Sequence, residues 1–112
     1  MSIFGAINTT AEVRVDASAS PTPGGTINID ASTANLFKWT AGENEAVNIT
    51  AGQKAGRVIT LMITNDAVIR TITLGTGIIS VGVIVGTALK TGVVVLQSDG
   101  TNFYELSRTL GL

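Results

Sequence analysis

Glu43 and Glu45 are the closest pair of acids in the chain, and a pair of carboxylates is the least that general acid–base chemistry requires. They follow Gly42 in a stretch with turn chemistry, where both side chains are expected in solvent. Serines and threonines are plentiful, but a hydroxyl nucleophile needs a base, and the chain has no histidine and no cysteine. A Ser–Lys arrangement would have to recruit Lys38, Lys54 or Lys90, none of which stands in a recognisable catalytic context. No catalytic residue is assigned, and the chain is not expected to be an enzyme.

The remaining chemistry is equally sparse. Asp99-Gly100-Thr101-Asn102 offers oxygens of the kind calcium takes, yet an Asp-Gly turn closed by its own side chain explains it better. Gly75-Thr76-Gly77, Gly82 and Gly86 do not make a phosphate loop, because that loop must open a helix and none follows. No metal and no cofactor is expected. Seven cations, Arg14, Lys38, Lys54, Arg57, Arg70, Lys90 and Arg108, are scattered and the net charge is −1, so no basic stripe for nucleic acid is visible. Trp39 and Tyr104 have the side chains of a sugar or protein contact, but so few aromatics are expected in the core or at its rim.

The elements that would position these residues are strands. The 112 residues suit one domain. Only 13% are charged, against about 25% in ordinary soluble proteins, and the mean hydropathy is +0.43. Apolar surface therefore needs cover, from hydroxyl and amide side chains or from a partner. No targeting segment is expected at the N-terminus. Residues 71–89 carry no charge and, as a helix, are long enough for a bilayer core of about 30 Å. Five hydroxyl side chains, four glycines and an alternating pattern argue instead for two buried strands and a turn, and no membrane partner is expected.

Period-2 alternation marks residues 12–16, 26–30, 36–39, 46–50 and 57–64 as strands. Asn65-Asp66 then reads as a turn, with 68–74 returning beside the preceding strand. Residues 78–85 and 92–97 are apolar and β-branched. Ser98-Asp99-Gly100-Thr101 is a hairpin turn into a last strand over 102–107. Residues 18–25, rich in proline and glycine, form the clearest loop. Ile59, Leu61, Ile63, Ile72 and Val95 are expected in the core. No window carries a helical stripe, and Val, Ile and Thr disfavour one. Strands this short and this regularly spaced predict a sandwich or barrel. A β-solenoid is the rival. Gly- and Thr-rich alternating strands also suit stacked coils, but only one near-repeat is seen, Ile27-Asn28-Ile29-Asp30-Ala31-Ser32 against Val47-Asn48-Ile49-Thr50-Ala51-Gly52, and two copies do not make a solenoid.

Five elements also follow one another in a familiar order: Asp30-Ala31-Ser32, Phe37, Gly52-Gln53, Arg70-Thr71-Ile72-Thr73, and Asp99-Gly100-Thr101-Asn102-Phe103-Tyr104. From Ile27 onward this order resembles a β-sandwich module of tailed-phage virion proteins, found in tail fibres, appendages and capsid-associated proteins. The resemblance implies an all-β, antiparallel, jelly-roll-like sandwich, a structural role in the virion of a bacteriophage, and often a homotrimer. It carries no active site. Residues 1–11 lie outside the pattern and are expected as an N-terminal docking arm on a domain spanning 12–112. Because the module is nearly the whole chain, it suits a capsid decoration (cement) protein on the capsid surface that binds the major capsid protein and itself. The alternative is a small tail or baseplate component, or a host-attachment, carbohydrate-binding module.

Overall fold

The computed structural model describes residues 18–21 and 24–112. They form ten strands and no helix: β1 (Ser18–Ala19), β2 (Thr26–Asp30), β3 (Leu36–Ala41), β4 (Glu45–Ala51), β5 (Val58–Asn65), β6 (Thr71–Leu74), β7 (Ile78–Ile79), β8 (Ile84–Val85), β9 (Thr91–Ser98) and β10 (Phe103–Thr109). The expected strand over 12–16 and the expected arm over 1–11 lie outside the described residues. The chain is all-β, as its alternation predicts. Its topology is not the antiparallel one expected.

Six strands make one sheet, in the order β1-β3-β5-β9-β10-β7, and four make the other, in the order β2-β4-β6-β8. Up to β6 the chain alternates between the sheets, and each new strand lies parallel to the previous one in its own sheet. Three such passes stack as coils of a flattened solenoid. The C-terminal part then turns antiparallel: β8 runs against β6, β9 against β5 and β10 against β9. Among the described residues five pairings are parallel and three antiparallel, so the sheets are mixed.

The physical reason lies in the corners. Asp30 Oδ1 accepts from the Ser32 backbone N–H (2.9 Å) and hydroxyl (2.6 Å), and this short-range turn sends the chain across to the opposite sheet instead of back alongside. The corner after β4 stacks on it, with the Ala31 N–H donating to the Ala51 carbonyl (2.9 Å). Gly52 sits there at φ +86°, where any Cβ would run into the Ala31–Ser32 backbone. The near-repeat that seemed too little evidence for a solenoid is thus the stacking itself. Ile27 pairs with Val47, Asn28 with Asn48 and Ile29 with Ile49.

Alternate residues of each strand point inward, and both sheets contribute to one core. Ile27, Ile29, Val47, Ile49 and Ile72 come from the four-stranded sheet; Phe37, Ile59, Leu61, Val94, Leu96 and Phe103 come from the six-stranded one. Each large aliphatic side chain so buried contributes roughly 1.5–3 kcal/mol. Ile59, Leu61, Ile63 and Ile72 are core residues as expected. Val95 is not: it is half-buried, while Val94 and Leu96 face inward. Three consecutive valines at 93–95 give no alternation from which to read the register.

Two further expectations change. Ser18 and Ala19 begin the stretch read as loop, yet they pair in parallel with Leu36 and Phe37 as β1. Residues 65–74 are not a hairpin arm, because β5 and β6 belong to different sheets. The strand starts only at Thr71, and Val68 and Ile69 stand exposed in the crossover.

Candidate functional site

Glu43 and Glu45 do not form a solvated pair. Glu43 is exposed, whereas Glu45 opens β4 with its side chain in the core, only 3% exposed. The Trp39 indole N–H donates to Glu45 Oε1 at 2.8 Å, and Oε2 has no hydrogen-bond partner among the described residues. Burial pushes the Glu45 carboxyl above the ordinary glutamate value of 4.5, against the pull of the indole and of the Gly24 backbone N–H, and the Glu43 charge adds to the rise. Trp39 is a core residue as expected, but its polar edge serves a buried acid that sequence reasoning placed outside. The i, i+6 spacing of Trp39 and Glu45 across a tight turn was the available signal. Tyr104 is the one described aromatic left in solvent.

The Asp99 region is the turn it was expected to be. Its Oδ1 accepts from the Thr101 and Asn102 N–H groups, both at 2.9 Å, and these bonds hold the carboxyl below its usual range. No group of three acidic, histidine or cysteine side chains comes together among the described residues. No helix among them is long and apolar enough to cross a membrane, and residues 71–89 contain β6, β7 and β8. A shallow depression of about 200 Å³ on the outer face of the six-stranded sheet is lined by Lys38, Trp39, Thr40, Met62, Thr64 and Thr91. The Thr64 and Thr91 hydroxyls there bond each other at 2.8 Å.

The surface feature that the strands do build is apolar. Ile79, Val81, Val83 and Val85 all stand exposed along the link from β7 to β8, Val81 at 82%. Tyr104, which pairs with Ile79, and Leu106 continue the apolar character onto β10. Beneath this tip lies an ion pair. Arg108 Nε donates to Glu105 Oε2 (2.6 Å) and its NH2 to Oε1 (2.8 Å), while the Glu105 side chain is only 2% exposed. The same guanidinium donates to the carbonyls of Val83 (2.9 Å) and Gly82 (2.8 Å), and Glu105 Oε1 accepts from the Val81 N–H (3.3 Å). Arg108 holds the Glu105 carboxyl below its ordinary range. Two bonds join the pair and three more, to Val81, Gly82 and Val83, fix a solvent-facing segment that carries two valines.

A second braced segment is the crossover from β5. Arg70 donates to both oxygens of Asp66 (2.9 and 2.8 Å), and Asp66 Oδ1 also takes the Val68 N–H (3.1 Å), beside exposed Val68 and Ile69. In sequence these cations look scattered. In the fold Arg70 and Arg108 each brace a loop that displays aliphatic side chains. Comparison with protein-family models, with characterised proteins and with solved structures finds no match to this chain.

Proposed function

We propose that this chain is a structural virion protein, a capsid decoration (cement) protein that binds and stabilises a phage capsid shell without catalysing a reaction. In this reading it is a homotrimer on the capsid surface and its partner is the major capsid protein. Nucleic acid, membrane, metal and cofactor play no part. The observation that carries the proposal is the braced apolar tip. An aliphatic run that the fold fixes in place but leaves in solvent does nothing for the isolated chain's own stability, and it suits a surface completed by a neighbour. The jelly-roll-like form belongs to the resemblance; two packed sheets share its layers, with parallel coils in place of antiparallel exchange. The alternative, a tail or baseplate component or a carbohydrate-binding attachment module, is favoured by exposed Tyr104. The number of copies per purified particle separates them. Hundreds support the shell, and a handful or none overturns it in favour of the tail or of a role outside the particle.

A further inference from the structure

Where β3 and β5 end and β9 begins, backbone bonds lace three connections side by side. The Asp66 N–H donates to the Ala41 carbonyl (3.2 Å), the Leu89 N–H to the Asp66 carbonyl (2.9 Å) and the Asn65 N–H to the Lys90 carbonyl (2.9 Å). The end face so formed carries Glu43 beyond β3, Val68 and Ile69 on the crossover from β5, and Leu89 and Lys90 ahead of β9. All five are exposed, on a crossover that the Asp66–Arg70 pair holds in place.

Leu89 is the unusual member. Its φ of +60° is the one positive value outside glycine among the described residues, and its side chain stands 72% exposed. A left-handed backbone suits glycine or asparagine, because in other residues Cβ crowds the neighbouring carbonyl. The turn would form more easily with glycine, and solvent would favour a polar side chain. Neither need accounts for a leucine. A backbone outlier that displays a large aliphatic side chain beside two more points to a contact made outside the chain.

We propose that this end face is a two-fold contact surface for a second copy of the chain, with Val68, Ile69 and Leu89 at its centre and Lys90 of each copy against Glu43 of the other. The charges decide the occupant. Arg70 and Arg108 are engaged by Asp66 and Glu105, whereas Glu43 and Lys90 have no ion-pair partner among the described residues. They are opposite in sign and flank β5 from β3 and from β9, about 10 Å apart at the usual strand spacing. A two-fold axis through the β5 crossover exchanges those flanks, so each acid meets a cation and the aliphatic centre packs on itself. An unrelated partner would have to reproduce that charge pattern.

The inference goes beyond the proposed function, whose threefold contact needs a different surface, and it is read without any particle. Sedimentation equilibrium of the full chain over a concentration series is expected to show monomer and dimer in exchange. Leu89→Asn relieves the backbone, so it should raise the melting temperature of the dilute chain and yet weaken the dimer. Lys90→Glu and Glu43→Lys should each weaken dimerisation about tenfold or more, because like charges then face each other. The double exchange Glu43→Lys/Lys90→Glu should restore it. A monomer throughout the series, a dimer indifferent to Leu89→Asn, or a double exchange no better than the single ones would overturn the proposal. Trimers that persist through all these changes would also overturn it, while leaving the proposed homotrimer standing.

Discussion

Glu45 and Trp39 meet inside the core, where one carboxylate oxygen is satisfied and the other is not. Folding raises this carboxyl above 4.5, so the protonated form is the better-folded one. Its share of stability is complete below the ordinary glutamate range and is lost as the pH rises through the raised value. Glu45→Gln stays neutral and still accepts from the indole. It is expected to exceed the parent in stability at pH 7 by on the order of 1 kcal/mol. The two melting curves should converge in acid, and Trp39, the only tryptophan, supplies the fluorescence that reads them. Glu105 behaves oppositely: its lowered carboxyl contributes above the ordinary range and loses that contribution as the pH falls through the lowered value. At β9 the register itself can be checked. Leu96→Ala should cost about 2–5 kcal/mol in chemical denaturation, and Val94→Ala should cost clearly more than Val95→Ala, because only Val94 is fully buried.

Between neighbouring coils, the asparagine ladder couples strands that are distant in sequence. Asn48 joins β2 through its amide and the Gly75-Thr76 turn through its carbonyl, and a Cβ at Gly75 would approach Asn48 Oδ1 to 2.5 Å. Asn48→Ala removes two hydrogen bonds, each worth about 0.5–1.5 kcal/mol, and should lower stability by about 1–3 kcal/mol in urea unfolding. Gly75→Ala should destabilise through the same ladder, and combining it with Asn48→Ala should cost less than the sum of the two. Strand positions were largely legible, because Thr26-Ile27-Asn28-Ile29-Asp30 and the run from Val58 to Asn65 alternate cleanly and fill one face. Pairing direction was not. The same alternation serves a parallel and an antiparallel neighbour, and only the corner chemistry at Asp30 and Gly52 distinguishes a crossover from a hairpin. The tip site was illegible for a related reason. Glu105 and Arg108 lie three apart, a spacing that brings side chains together on a helix, whereas here the register shift between Glu105 and Ser107 allows it on a strand.

At the scale of the whole molecule, an apolar tip sits at one end of a stack in which Arg70 and Arg108 are paired with carboxylates of the same chain. Val81→Asp leaves the isolated chain's stability within about 0.5 kcal/mol, since the side chain is already in solvent. In the proposed role it weakens rebinding to particles stripped of the protein by about tenfold or more, because a charge would have to be buried. Rebinding of the parent should change little as salt is raised, since Arg70 and Arg108 already hold carboxylates of their own chain. The place of the last two strands governs time as well as shape. β9 and β10 fill the gap between β5 and β7, so the six-stranded sheet closes only after the most C-terminal elements have entered it. β9 and β10 can form a local hairpin, but its docking joins β9 to β5 more than 25 residues away, and the parallel coils likewise join residues twenty or more apart. Folding therefore waits on distant contacts, and refolding in milliseconds to seconds, instead of the microseconds of locally wired domains, is the expected tempo.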